Sequence, residues 1–187
     1  MKSAARFVSC LLVTTAVLAG LAVQAEESAK TDLKLFEKGA DWKFIKNTGD
    51  GSFKLATDGD KPIGVLDFDF TKKIGEKTAY VLASTKVTIA ETTGEFQMNA
   101  RSTVAKKITL RFTDDTGQTL QIKGNISATG AWEPIKFSFA KKFEHWDGAN
   151  DGKIHFPIKS FLISIPEPAG DAKSGKIEFA DAATTAK

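Results

Sequence analysis

Six side chains able to hold a ligand fall close together in this sequence: His145, Trp146, Asp147, Asn150, Asp151 and His155. Imidazole, carboxylate and amide groups can satisfy hydroxyls or ligate a metal, and an indole offers a flat apolar face. Turn residues at Asp147-Gly148 and Asn150-Asp151-Gly152 fix the segment as a loop, and the alternating run Phe161–Ile165 follows it as a strand. Such a loop suits gripping a ligand better than it suits a catalytic pocket carried on a helix. Trp146, set among polar residues and glycines, is either a platform for a flat ligand face or a lid over one end of a core.

Other chemistry finds less support. Serine catalysis needs a histidine and an orienting acid, and His145 and His155 come without a G-x-S-x-G turn. Paired-carboxylate hydrolysis has candidates in Asp67, Asp69, Glu95, Asp114, Asp115, Glu144, Asp147 and Asp151, but most sit at turns, where acids serve the backbone. Asp147 to Gly152 is similar to the start of a calcium loop. Ala149 and Ile158 stand where an EF-hand needs oxygen ligands, so that identification fails, while a site of loop carbonyls plus Asp stays open. Ordinary hydrogen bonding fits the two histidines better than a shared metal, since no third ligand is in view.

The elements that must position these groups read as strands. Residues 1–25 read as a cleaved signal peptide, with Lys2 and Arg6 before an apolar run from Phe7 to Val23 and a Val23-Gln-Ala25 cleavage site, an uncleaved membrane anchor being the alternative. Removing those 25 residues from 187 leaves 162, and the single cysteine, Cys10, leaves with them. Taking Lys2 and Arg6 from the 26 basic residues leaves 24 against 23 acidic ones, a near-neutral balance that argues against nucleic acid as a partner. The implied location is secreted or periplasmic, with no membrane anchor after cleavage.

Beyond a polar lead-in at 26–34, period-2 alternation predicts strands near Trp42–Lys46, Ser52–Ala56, Ile63–Phe70, Ala79–Ile89, Glu95–Ala100, Lys107–Thr113, Thr119–Lys123, Glu133–Phe139, Phe161–Ile165 and Lys176–Ala180. No 11-residue window shows a helical period. The pattern predicts an all-β fold, an antiparallel two-sheet sandwich spanning 35–182, with 183–187 as a loose tail. Phe68, Phe70, Phe112, Phe137, Phe139, Leu162, Phe161 and Phe179 are expected in the core, and core packing is also the expectation for Trp42 and Trp132.

The run from His145 to Ile158, the strand Phe161–Ile165 and the closing Gly175-Lys-Ile-Glu-Phe-Ala-Asp181 together resemble the C-terminal half of a bacterial galactose-binding-like β-sandwich, a jelly roll. Gly130-Ala-Trp132 with Phe137-Ser-Phe139 likewise resembles a strand of carbohydrate-binding modules, which recur beside glycoside hydrolases. The resemblance implies a non-catalytic module whose partner is a polysaccharide or other glycan. It also implies a structural calcium held by Asp181 with Asp32, Glu37 or Asp41. A structural or protein-interaction domain of the periplasm or cell surface is the alternative, with a protein partner, and a glycan-acting enzyme is third.

Overall fold

Alternation becomes twelve strands in the computed structural model, which describes residues 29–71, 79–90, 93–167 and 172–186. In chain order they are β1 (Lys30–Asp32), β2 (Trp42–Asn47), β3 (Asp50–Asp58), β4 (Lys61–Asp69), β5 (Tyr80–Ile89) and β6 (Thr93–Ser102). There follow β7 (Lys106–Thr113), β8 (Thr119–Ile126), β9 (Glu133–Ser138), β10 (Glu144–Trp146), β11 (Ile158–Pro166) and β12 (Ser174–Ala186). All pairings between them are antiparallel. The segment expected to be a signal peptide, residues 1–25, lies outside the described residues.

Two sheets result. The first runs β3-β4-β12-β6-β9, with β1 added against the far end of β12, and the second runs β10-β8-β7-β11-β5-β2. Turns follow local chemistry. Gly59, at φ 61°, takes the first position of the two-residue β3–β4 loop, where a side chain would be strained.

Between the sheets lies one aromatic core. Phe112 meets Phe137, Phe161 and Phe96 with ring centroids 4.9, 5.2 and 5.1 Å apart, and Phe68, Phe70, Phe139 and Phe179 are buried beside them. Burying each such ring stabilises the fold by about 1.5–3 kcal/mol before pair geometry is counted. Trp42 packs against this core and donates its indole N–H to Leu35 O at 2.7 Å.

Several expectations are corrected. Leu162 does not face inward: Phe161 and Ile163 do, and strict alternation sends Leu162 to the outer face, beside Arg111. Trp132 covers a separate cluster of Ile63, Val65 and Ala180 on the outer face of the first sheet, under Arg101 and Lys61. The stretch 183–186 is no loose tail, because β12 continues through it, and part of the lead-in pairs with it as β1. Trp146 belongs to an edge strand, β10, which three residues of pairing with β8 hold in place. These last segments are polar and short, so their pairing depends on neighbours distant in sequence.

Candidate functional site

The predicted loop is tied down from outside. Asp114, at the end of the β7–β8 connection, accepts hydrogen bonds from the backbone N–H groups of Thr116 and Gln118 at Oδ1 and of His155 at Oδ2. Thr116 Oγ1 adds a fourth at 2.8 Å. Burial would raise the pKa of this carboxyl, but the donors outweigh it and hold Asp114 below the usual carboxylate range. Gln118, fully buried, carries the clamp onward by donating to Lys153 O at 2.6 Å.

Within the loop the candidate residues are divided between pairs. His145 Nδ1 lies 2.9 Å from Asn150 Oδ1, and His155 Nε2 lies 3.1 Å from Asp151 Oδ1. Hydrogen bonds from Lys153 N–H and from His155 keep the Asp151 pKa low. Asp147 and Asn150 take positive φ angles of 58° and 48°, which places both in turn geometry. Trp146 parts from this group and faces the outer surface of the second sheet.

That surface carries a connected polar array. Arg111, Gln121 and Glu144 stand side by side on β7, β8 and β10. Arg111 Nε donates to Gln121 Oε1 at 2.7 Å, Gln121 Nε2 donates to Glu144 Oε2 at 2.5 Å, and Lys123 Nζ donates to Glu144 Oε1 at 2.6 Å. The bonds from Lys123 and Gln121 pull the Glu144 pKa down. The Arg111 guanidinium also lies 5.3 Å from the centroid of the Trp146 ring, a cation–π contact at the rim.

Next to this array is a groove of about 570 Å³, walled by Tyr80, Lys107, Thr109, Arg111, Gln121 and Ser164 among others. Thr109, Gln121 and Ser164 are almost inaccessible yet offer polar atoms on this face, and Tyr80 supplies an aromatic ring at one end. Sequence reasoning passed over these residues. The signal lay in Lys107, Thr109 and Arg111, which alternate with the core residues Ile108, Leu110 and Phe112 and so must share the opposite face.

At Asp181 the surroundings do not resemble a calcium cage. Lys61 Nζ lies 2.5 Å from its Oδ2, and Asn99 Nδ2 donates to the same oxygen at 2.7 Å. Burial would raise the Asp181 pKa, but these two partners bring it down. Asp32 and Glu37 border the same small cavity as Asp181, yet Asp32 accepts from Lys34 N–H and Glu37 pairs with the Lys34 ammonium at 3.6 Å. Among the described residues no three His, Cys, Asp or Glu side chains converge as metal ligands. The donors present do not fit the ion.

No family model matches the chain, and no curated protein matches it. Solved structures do. A family 11 carbohydrate-binding module from Clostridium thermocellum, in complex with a β-1,3-1,4-mixed-linked tetrasaccharide, superposes with a TM-score of 0.65 at 13% identity, covering 84% of this chain and 95% of that one. A carbohydrate-binding module described as recognising mannan, TmCBM27, superposes with a TM-score of 0.51 at 9% identity, covering 86% of this chain and 96% of that one. An exo-β-agarase matches at a TM-score of 0.50 and 12% identity, over 84% of this chain but only 24% of its own. The chain therefore has the β-sandwich fold seen in carbohydrate-binding modules.

Proposed function

We propose that this chain binds a glycan along the outer face of its second sheet and does not transform it. The groove between Tyr80 and Arg111 carries the reading, because Arg111 and Gln121 on its wall are fixed to one another before any ligand arrives. Sugars need that combination: polar groups for hydroxyls, and an aromatic surface for the apolar side of a ring. Modules of the same fold bind oligosaccharides, which supports the reading. With single-site contacts of this kind the affinity expected is about 10–1,000 μM.

The lining supports a reading of binding without catalysis. Among the described residues no carboxylate borders the groove, and Glu144 beside it is already engaged by Lys123 and Gln121. General acid–base hydrolysis of a glycoside needs two acids facing the bond. The pairs His145–Asn150 and Asp151–His155 act in this reading as loop fasteners, and Trp146 serves the site through Arg111. Lys61 acts as the counter-charge of Asp181 in place of a calcium ion. With export directed by residues 1–25, the module works in the periplasm or outside the cell.

Calorimetry of residues 26–187 against a panel of soluble polysaccharides tests the proposal. Tyr80→Ala and Arg111→Ala should each weaken binding at least about fivefold, an aromatic or cationic contact being worth roughly 1–3 kcal/mol. His155→Ala should leave affinity intact. The reverse pattern moves the site back to the loop.

A further inference from the structure

The charge of the groove is one-sided. Lys107, Arg111 and Lys123 all border it, and among the described residues no Asp or Glu does. Lys107 is exposed, and none of the ion pairs among the described residues engages it. Lys123 is directly opposite Thr109, which places it one diagonal step, about 8 Å between backbones, from both Lys107 and Arg111. The three cations thus zigzag along the groove and do not cluster at one point. Glu144 offsets part of the Lys123 charge from outside the lining and leaves a net positive strip.

We propose that the glycan held here is an acidic polysaccharide, one whose sugars bear carboxylate or sulfate groups along the chain. This rests on the glycan-binding reading above. Repeated anions on a stiff chain match a line of separated cations, whereas a neutral glycan can take only hydrogen bonds from Lys107. Nucleic acid fits less well: its single strands need successive aromatic platforms, and among the described residues this groove offers Tyr80 alone.

The test is affinity electrophoresis and calorimetry with alginate, a sulfated galactan, neutral mixed-linkage β-glucan and a mixed-sequence DNA oligonucleotide as probes. Binding to alginate or to the sulfated galactan should exceed that to the neutral glucan at least about tenfold in 50 mM salt and fall steeply by 500 mM. Which acidic probe wins separates carboxylate from sulfate recognition. Lys107→Glu should abolish the preference while the melting temperature holds, and Lys54→Glu, on the first sheet, should change neither. Equal or tighter binding of the neutral glucan at the same groove overturns the acidic-ligand proposal and leaves glycan binding standing. Failure to bind any polysaccharide overturns both, as does retention of the DNA in preference to all of them.

Discussion

The backbone N–H of His155 donates to Asp114 Oδ2 at 3.1 Å across 41 residues of sequence, and Asp115 N–H returns a bond to His155 O at 2.9 Å. This double link fastens the long loop before β11 to the turn that joins β7 and β8. Both of those strands line the groove, so the clamp ties the loop to the strands of the proposed site.

Replacing Asp114 by Asn removes the charge and leaves one acceptor oxygen for donors that now use two. We expect a loss of about 1–3 kcal/mol in urea unfolding, the usual cost of stranding buried donors. Binding to the groove should survive in the folded fraction. An unchanged midpoint would mean that the clamp contributes nothing.

Acid should act through the same groups. Asp114, Glu178 and Asp181 all have lowered pKa values in the fold, so their stabilisation is complete above the unfolded carboxylate range near pH 4. It is lost as pH falls through the still lower folded values. The melting temperature should therefore be level from pH 7 to about 5 and drop below about 4, more gently in Asp114→Asn. A protein equally stable at pH 3 and pH 7 contradicts this.

Much of the fold was readable because apolar alternation reports directly on sheet faces. Phe112, Phe137 and Phe179 fell inward as their spacing demands, while Leu162 was misplaced only where its neighbour Phe161 had already claimed the inner face. The site was less legible. Turn residues and aromatics draw attention to 145–155, where polar groups satisfy one another. The groove draws its lining from β5, β7, β8 and β11, and only strand order brings Tyr80, Lys107 and Ser164 to one surface. That order is a property of long-range pairing, which no local pattern encodes.

Trp146 now has a definite test. Its ring is half-buried on an edge strand under Arg111, so Trp146→Ala should cost about 1–2 kcal/mol of stability and about 1 kcal/mol of glycan affinity. Thermal melts and calorimetry on one variant read both. A stability loss of about 3–5 kcal/mol would instead mark a core lid.

Chelation distinguishes the two accounts of Asp181. Melting curves in EDTA and in millimolar calcium should coincide. Lys61→Ala should lower stability by less than about 1 kcal/mol, because both partners are more than a third exposed, at 35% and 40%. A melting temperature that falls with EDTA would show that a bound metal stabilises the fold.

Strand β12 lies between β4 and β6 along Ile177–Phe179 and between β1 and β6 along Ala183–Thr185. The middle of the first sheet is thus built from the last described strand to leave the ribosome. Until it arrives, β4 and β6 each wait with an open edge, and among the described residues no earlier strand pairs with either of those edges. Unpaired edges template wrong partners, so the interval between synthesis of β9 and of β12 is when this protein is most exposed to aggregation. A translational pause placed before residue 174 would lengthen that interval, and a holding chaperone would be needed most there.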